Sequence, residues 1–505
     1  MQARDYQIEA KRAILHSSIG KIISPTGTGK SVIQGMVIET LAKCMGKETP
    51  AIVVILTPRI ALTNQLAKDV GRQLLARNVK LKFVTVHSGE KADFLYEGED
   101  ENGIPDVLRA QLERLGGKIV TNAADLASEI KEEQYNGTPL VICCTYHSCD
   151  KITAALRDNN LQVHEVLCDE AHYVVEPEFH EKVEALKRHT ARMHFFTATE
   201  KTNKDGASDT GFGMQNEAFY GPTLFYRTPR QMIEAGWIVQ PRLHVEYAPA
   251  NKTEGALVIG AYLEHAKQVA YNAKLLVCCN GAEVVEAIAH DATFLQETAD
   301  NNITVFRISS AHGAWIGNED YTKRRNEFFR KLRAFEGRAI VLHINILTEG
   351  IDVPDFSGVM ILRNMELARF MQSVGRAMRK HALDKAKTVA EFEHWIKKYS
   401  WIVLVEREGD LEDADRNTNL RTLLKRMRDA GYLDGVDLRT EVVLGYDKGE
   451  GNTEIDRTNE PEDSVTTKFS DLFDIFHMFE SEEKAQIAAQ RVGSLVKDFV
   501  DSAGW

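Results

Sequence analysis

The residues best suited to chemistry lie in a short glycine-containing loop near the N-terminus, residues 24–31 with the sequence SPTGTGKS. An apolar run precedes the loop and a helix-compatible segment follows it, which is the setting of a phosphate-binding P-loop. Two glycines let backbone N–H groups point at a phosphate, Lys30 can reach the β and γ oxygens, and the Ser31 hydroxyl can hold Mg²⁺. The strict pattern begins with glycine, where this chain has Ser24. The expected phosphate-binding residues are Thr26, Gly27, Thr28, Gly29, Lys30 and Ser31.

A pair of adjacent carboxylates supplies a second chemical element. Asp169 and Glu170 directly follow the apolar run 166–168. Asp169 is placed like a Walker B carboxylate that holds Mg²⁺, and Glu170 can orient or deprotonate an attacking water. Surface Asp-Glu pairs are common, but this pair ends an apolar strand downstream of a P-loop. We therefore expect Lys30, Asp169 and Glu170 to be catalytic.

Three residues upstream of the loop are suited to recognise a nucleobase. Arg4, Tyr6 and Gln7 are followed by an amphipathic helical stretch, residues 8–16. A side-chain amide can pair a donor and an acceptor with an adenine edge, and an aromatic ring can stack on the base. Their position relative to Lys30 favours adenine recognition, so ATP with Mg²⁺ is the predicted cofactor.

Composition limits the possible classes of protein. The chain of 505 residues is too long for one core and predicts about three domains. With 43% hydrophobic and 27% charged residues, it has the composition of a globular protein. No apolar run approaches the ~20 residues that cross a bilayer, and the N-terminus lacks a signal-peptide pattern. We expect a cytoplasmic protein, in a bacterium or a phage-infected cell, without a membrane partner.

Charge and cysteine usage argue against further classes. A net charge of −12 does not fit a general nucleic-acid coating protein, so a polyanion must meet a local basic surface. The candidates are residues 323–333, 376–387 and 421–428, each of which could equally be a solvated helix face. The seven cysteines include no CxxC pair, which argues against a zinc ribbon or an iron–sulfur cluster and favours reduced core thiols.

Two series of apolar, β-branched runs alternate with helical sequence, which is typical of parallel sheets buried on both faces. The first series is 21–24, 51–57, 82–87, 140–145, 163–169 and 193–197. The second is 243–247, 274–279, 303–308, 339–344, 358–362 and 401–405. The predicted fold is α/β, with tandem domains at residues 1–235 and 236–405 and a small, mainly helical C-terminal module at residues 406–505.

The second domain lacks a P-loop but carries two motifs, residues 347–354 (LTEGIDVP) and 372–379 (QSVGRAMR). Arg376 and Arg379 are spaced three apart, so on a helix they share one face and can stabilise charge on a γ-phosphate. A basic helix face paired with acidic neighbours is the alternative. That alternative leaves unexplained a second α/β domain with no nucleotide loop of its own.

Two regions lie outside these motifs. Residues 88–137 form a long polar interruption, interpreted as a partly helical insertion with an acidic tip, with a plain solvated surface excursion as the favoured alternative. Beyond residue 405, an acidic stretch precedes a basic amphipathic segment, residues 419–430. This segment could guide a nucleic-acid strand or act as a structural cap.

Taken together, the motifs resemble the ordered motifs of superfamily 2 helicases of the DEAH-box type, over residues 4–405. The pair Pro25-Thr26 before Gly27 suggests the helicase variant of the P-loop. Residues 347–354 and the Gly-Arg-x-x-Arg ending look more like DNA-acting members, such as restriction-type helicase subunits and phage branch-migrating helicases, than like DEAH RNA helicases. The motifs are Gln7, 24–31, 57–59, 169–172, 197–199, 348–352 and 372–379.

The resemblance implies two RecA-like domains that bind ATP–Mg²⁺ in their cleft and a nucleic-acid strand across their tops. It assigns Lys30 to phosphates, Ser31 and Asp169 to the metal, and Glu170 to the water. The residues assigned to the γ-phosphate or its sensing are Asp352, Gln372, Arg376 and Arg379, and Gly350 is expected to bind the nucleotide. Those assigned to the strand or to coupling are Pro58, Arg59, Thr145, Tyr146, Ser148, His172, Thr197, Thr199 and Thr348.

The expected function is an ATP-dependent DNA helicase or translocase, in which ATP closes the cleft and hydrolysis opens it. Three alternatives stay open: a double-strand translocase that never separates strands, the motor subunit of a restriction-like complex, and an RNA helicase. The expected partners are nucleic acid, with DNA favoured over RNA, and proteins of replication, recombination or restriction.

Overall fold

A computed structural model describes residues 3–46, 48–87, 118–202, 212–248, 251–344, 355–363, 367–407 and 442–445. The chain divides into two compact units, the first ending at Arg227 and the second beginning at Thr228. Each unit is built on one β-sheet that is wholly or mainly parallel. The predicted fold class of two tandem parallel-sheet α/β domains is therefore confirmed.

The first unit contains an eight-stranded sheet whose pairings are all parallel. Its strands are β1 (Ile19–Ile23), β2 (Ile52–Thr57), β3 (Lys82–Val86), β4 (Lys118–Val120), β5 (Leu140–Thr145), β6 (Glu165–Cys168), β7 (Met193–Thr197) and β8 (Thr223–Tyr226). They lie in the order β4-β3-β5-β2-β6-β7-β1-β8. Strands β2 and β5 are buried along their whole length, as expected where both faces of a parallel sheet are covered.

Helices connect these strands, and their ends follow local sequence signals. The Asn122 side chain accepts a hydrogen bond from the Asp125 amide at 2.9 Å at the start of one helix, and Gly137, with φ 68°, ends it. The α-helices are α1 (Asp5–Leu15), α2 (Lys30–Cys44), α3 (Ile60–Ala76), α4 (Ala123–Asn136), α5 (Cys149–Asp158), α6 (Pro177–Lys187) and α7 (Glu217–Tyr220).

The second unit contains a nine-stranded sheet in the order β13-β12-β11-β14-β10-β15-β16-β9-β17. Its strands are β9 (Gln240–Ala248), β10 (Lys274–Cys278), β11 (Thr304–Ser309), β12 (Gly313–Ile316), β13 (Glu319–Asp320), β14 (Ala339–His343), β15 (Gly358–Ile361), β16 (Tyr399–Arg407) and β17 (Val442–Gly445). The pairings are parallel except for the antiparallel meander β11-β12-β13 at one edge.

The meander depends on a glycine. Gly313 opens β12 at φ 77°, and a Cβ there would lie 1.9 Å from Thr322 Oγ1, so a side chain does not fit. The α-helices of the second unit are α8 (Pro229–Glu234), α9 (Glu254–Lys267), α10 (Ala282–Ala289), α11 (Ala292–Asp300), α12 (Arg325–Ala334) and α13 (Leu367–Ala377).

Each predicted apolar run overlaps a strand, whereas β4, β8, β12, β13 and β17 were not predicted. These five strands are short and lie at or near sheet edges. Of the four residues of β8, only Phe225 is buried, so it lacks the continuous apolar signal of a central strand. Among the described helices, none is both long and apolar enough to span a bilayer.

Several predicted features lie outside the described residues. They are residues 88–117 of the predicted insertion at 88–137, the motif at 347–354 with Thr348, Gly350 and Asp352, and nearly all of the C-terminal module, including the basic segment 419–430. Of that module, the end of β16 and strand β17 are described, and β17 pairs in parallel with β9.

Candidate functional site

The glycine-containing loop joins β1 to α2, and its backbone conformation requires the two glycines. Gly27 and Gly29 both have φ 84°, a left-handed value that disfavours other residues. A Cβ at Gly29 would lie 2.6 Å from Gln7 Nε2. Lys30 Nζ donates to Ser24 O at 3.1 Å, which holds the ammonium over the loop. A loop of this shape at a helix N-terminus suits a bound phosphate chain.

The residues predicted to recognise adenine hold this loop. Gln7 Nε2 donates to Thr28 O at 3.2 Å, and Gln7 Oε1 accepts from the Arg4 amide at 3.0 Å. The Tyr6 hydroxyl also donates to Thr28 O and accepts from Arg4 Nη1 at 3.0 Å. Gln7 and Tyr6 are both buried. Both side chains therefore stabilise the loop through its Thr28 carbonyl. Adenine recognition stays a prediction.

The carboxylate Asp169 lies at the end of β6 and is tied to the helix that follows the loop. Gln34 Nε2, on α2, donates to Asp169 Oδ1 at 2.9 Å. The Asp169 carbonyl accepts from the Tyr146 hydroxyl at 2.7 Å, and its amide donates to Leu56 O at 2.8 Å. Gln34 is not among the predicted site residues. Its spacing of one helical turn after Lys30 is the signal that could have identified it.

The oxygen donors here fit a magnesium ion. Burial raises the pKa of Asp169 to about 7, and the neighbouring Glu170 adds to the rise while Lys30 opposes it. A bound dication would favour the ionised carboxylate. Asp169 and the Ser31 hydroxyl would hold the ion, because Mg²⁺ prefers oxygen ligands.

Glu170 adopts a left-handed backbone conformation, φ 48° and ψ 50°, which is uncommon for this residue type and occurs at functional sites. Its Oε2 is buried and accepts no hydrogen bond from the described residues, although His172 Nδ1 lies 3.6 Å away. His172 Nδ1 also lies 3.1 Å from Thr197 Oγ1, which donates to Thr199 O at 2.8 Å. His172 thus lies between Glu170 and Thr197, the last residue of β7, and Thr197 in turn contacts Thr199.

An open depression lies at the carboxyl ends of four neighbouring strands of the first unit. Its volume is about 570 Å³. Four of the residues that were predicted to contact a nucleic-acid strand line this depression: Pro58, Arg59, Thr145 and Ser148. The other lining residues are Ile60, His87, His147, Tyr173 and Phe179. We call these nine residues the strand-end groove.

Aromatic side chains of the strand-end groove were not predicted. Phe179, in the first turn of α6, packs against His147 with ring centroids 4.7 Å apart. Tyr173 packs against His172 at 4.6 Å. Neither ring is fully buried. No local sequence signal marks Phe179, because only the fold brings the start of α6 to the ends of β2 and β5.

Tyr146 corrects one prediction. The sequence analysis places Tyr146 among the residues that contact a nucleic-acid strand. Its side chain is fully buried, however, and its hydroxyl donates a hydrogen bond to Asp169 O. It packs within the core behind the groove, against Phe179 at 5.7 Å. Its side chain therefore supports the Asp169 backbone and does not reach the surface.

The second unit places Gln372 and Arg376 on α13, and both are buried. The prediction that Arg376 and Arg379 share one helix face is wrong, because α13 ends at Ala377. Arg379 is extended and forms an antiparallel bridge with Ile238, next to the bond from the Val239 amide to Met378 O at 2.9 Å. The two arginines thus lie on either side of a helix end.

Arg376 lies near the carboxyl ends of β10 and β14. Burial, together with the nearby charges of Arg376 and Arg363, lowers the pKa of His343 to about 3, so the imidazole is neutral. Cys278 Sγ lies 3.3 Å from His343 Nε2. Strand ends of a parallel sheet again collect the polar side chains, as in the first unit.

The basic cluster at residues 323–333 is paired with acidic neighbours. Arg324 and Arg330 lie 3.1 and 3.8 Å from Glu327. Lys331 lies 3.8 Å from Glu319. These contacts favour the interpretation of this cluster as a solvated helix face.

Comparison with known proteins defines the class. Residues 1–202 match the family described as type III restriction enzyme, res subunit, and residues 258–381 match the helicase conserved C-terminal domain. The chain therefore carries the paired domains of a superfamily 2 helicase, an ATP-hydrolysing class of enzyme. No curated protein shows significant sequence similarity to it.

Solved structures share the fold. The ATP-dependent Type ISP restriction-modification enzyme LlaBIII bound to DNA matches with a TM-score of 0.61 and 17% identity, covering 88% of this chain and 31% of that one. A nuclease-deletion mutant of the Type ISP enzyme LlaGI matches at 0.56 and 16%, covering 88% and 30%. The DEAD-box helicase Mss116 bound to ssRNA matches at 0.54 and 14%, covering 98% and 82%. The chain spans about a third of the two Type ISP enzymes.

Proposed function

We propose that the chain is an ATP-dependent DNA translocase that separates or remodels strands. The observation that carries the proposal is the bond from Gln34 to Asp169, because it joins the helix that starts at Lys30 to the carboxylate pair. Phosphate loop, metal carboxylate and water-orienting glutamate then form one site for phosphoryl transfer to water. The sequence Asp169-Glu170-Ala171-His172 supports the DEAH-box subtype.

In this proposal the nucleotide and metal are held by the loop and the carboxylate pair. Lys30 binds phosphates, Ser31 and Asp169 bind Mg²⁺, and Glu170 orients the water. Bound Mg²⁺ supplies charge neutralisation at the reacting phosphate. Arg376 and Arg379 stabilise charge that develops on the γ-phosphate. Asp352 and Gln372 would sense the phosphate, and Gly350 would bind the nucleotide.

The strand-end groove is proposed to hold the nucleic acid. Arg59 is exposed there and can bind a phosphate, while Phe179 and Tyr173 can stack on bases. Pro58, Thr145, Ser148 and, outside the described residues, Thr348 complete the predicted contacts. Tyr173 adjoins His172, which adjoins Glu170, so the groove and the hydrolytic site share a contact path.

A second candidate is the motor subunit of a restriction-like complex whose nuclease is another polypeptide. The match of residues 1–202 to the res subunit family and the fold shared with Type ISP enzymes favour it. The two candidates differ in the expected substrate, because a motor that only moves along duplex DNA needs no strand separation. Steady-state ATPase assays with single-stranded DNA, duplex DNA and RNA, beside a strand-separation assay on forked DNA, distinguish them.

We expect DNA to stimulate hydrolysis at least as well as RNA, and affinity to fall steeply with salt because phosphate contacts dominate. A clear preference for RNA would contradict the choice of DNA. Stimulation by duplex alone, without strand separation, would favour the motor-subunit candidate.

Replacing Gln34 with leucine is expected to raise the Mg²⁺ concentration for half-maximal hydrolysis about tenfold, because groups that orient a metal ligand typically contribute that much to affinity. The measurement is an ATPase titration with MgCl₂ at saturating ATP. Gln73→Leu is the control, since Gln73 faces the same helix beside Gly35. An equal shift in both variants would contradict the assignment.

Replacing Phe179 with alanine is expected to weaken binding of single-stranded DNA by about 1–3 kcal/mol, the usual contribution of one base stacked on an aromatic ring. Arg59→Gln should weaken binding for all sequences alike and reduce the salt slope by about one. Fluorescence anisotropy at several salt concentrations measures both. Tyr135→Ala, on α4 and 93% exposed, is the aromatic control. Parental affinity in both groove variants would contradict the proposal that nucleic acid binds in the strand-end groove.

A further inference from the structure

A fully buried lysine holds the chain segment that carries the two proposed phosphate-binding arginines. Lys397, two residues before β16, is 1% exposed. Its Nζ donates to three backbone carbonyls, Phe356 at 2.5 Å, Arg379 at 2.8 Å and Ala377. Two of these carbonyls belong to the end of α13 and to Arg379 itself.

The chemistry of this contact favours a charged group. An ammonium has three N–H donors, so it can satisfy all three carbonyls, whereas a neutral amine has two. A cation at a helix C-terminus also interacts favourably with the carbonyls of the last turn. Burial lowers the pKa of Lys397 to about 7, which reflects the cost of an ammonium here, while Asp355 opposes this effect and Arg379 adds to it. The three hydrogen bonds to carbonyls offset this cost of burying the ammonium.

The backbone of Lys397 is itself anchored. Asp384, also buried, accepts from the amides of Ile396 at 3.0 Å and Lys397 at 2.9 Å, and from Lys387 Nζ at 2.9 Å. On the opposite side, the segment is held by the bridge between Ile238 and Arg379. The end of α13 is thus fixed between two independent supports.

We propose that Lys397 is a positioning residue for ATP hydrolysis: it fixes the helix end between Arg376 and Arg379, so that both guanidinium groups keep the geometry that transition-state stabilisation requires. This inference rests on the proposed role of the two arginines. A displacement of about 1 Å at a reacting group can cost on the order of a hundredfold in rate. The loss should appear in kcat, because the arginines act mainly in the transition state.

The test compares Lys397→Met with Lys398→Met in the full chain. Lys398 is the adjacent lysine, partly exposed and paired with Glu393 at 2.7 Å, so it is a matched control. Lys397→Met should lower kcat about a hundredfold at nearly unchanged KM for ATP. Hydrogen exchange should also become faster at the Val239 amide, which bonds to Met378 O. Lys397→Arg, which keeps the charge, should recover part of both effects.

Unchanged exchange at Val239 in Lys397→Met overturns the inference, and so does faster exchange with parental kcat. Arg376→Ala, measured in parallel, distinguishes failure of the proposed function of Arg376 from failure of the positioning role of Lys397. If Arg376→Ala also has parental kcat, the proposed role of the arginine is wrong. If only Lys397→Met has parental kcat, the positioning role of Lys397 is wrong and the role of Arg376 stands. Should Lys397→Met not fold, Asp384→Asn loosens the same backbone, and parental exchange and kcat in that variant overturn the inference.

Discussion

Replacing Glu170 with glutamine is expected to stop ATP hydrolysis while leaving nucleotide and Mg²⁺ binding intact. Glutamine has nearly the same shape as glutamate, so the left-handed backbone at this position and the packing beside His172 should persist. It cannot take a proton from the attacking water. Loss of a general base typically costs 10²–10⁴-fold, so turnover should fall by about three orders of magnitude.

The measurement pairs steady-state ATPase kinetics with equilibrium binding of a fluorescent ATP analogue. Lys30→Ala is the companion variant and should lose nucleotide affinity, since the lysine contacts phosphates in the ground state. The opposite pattern, weak binding with normal turnover in Glu170→Gln, would be evidence that Glu170 has no role in orienting water. Parental turnover in Glu170→Gln would reject that role outright.

Replacing Arg376 with alanine is expected to reduce turnover on the order of a thousandfold with little loss of ATP affinity. An arginine that stabilises transition-state charge contributes about that much to phosphoryl transfer. Arg376 is buried near the neutral imidazole of His343, and in such a low-dielectric setting a positive charge interacts strongly with a bound anion. Arg379→Ala should show the same kinetic pattern, although Arg379 lies beyond the helix end.

The control is Arg330→Ala on α12, because Arg330 is 41% exposed and pairs with Glu327. It should hydrolyse ATP at the parental rate, since exposed ion pairs contribute little. Turnover and affinity are measured separately for each variant. A large loss of affinity with normal turnover at saturation in Arg376→Ala would place the arginine in ground-state binding instead.

Much of the site follows from sequence because its signals are local. Residues 24–31 combine two glycines, a lysine and a helix start within one turn of chain, and the structure places both glycines at φ 84°. Continuous apolar runs predicted the central strands, because a strand that is buried on both faces is apolar along its whole length, and this pattern is visible in the sequence alone. Asp169 and Arg59, which are proposed to bind ligands, lie just beyond the ends of strands, as the sequence predicted.

Tertiary structure decided what depends on residues distant in sequence. Gln34 reaches Asp169 across 135 positions, and Lys397 reaches Phe356 across 41. Tyr146 is buried because α6 folds over the end of β5, although its neighbours Thr145 and Ser148 line the groove. Arg379 lies beyond the helix of Arg376, where it forms a bridge with Ile238 and its carbonyl accepts a hydrogen bond from Lys397 Nζ. Spacing along the chain predicts local geometry, whereas burial and long-range hydrogen bonds exist only once the elements pack.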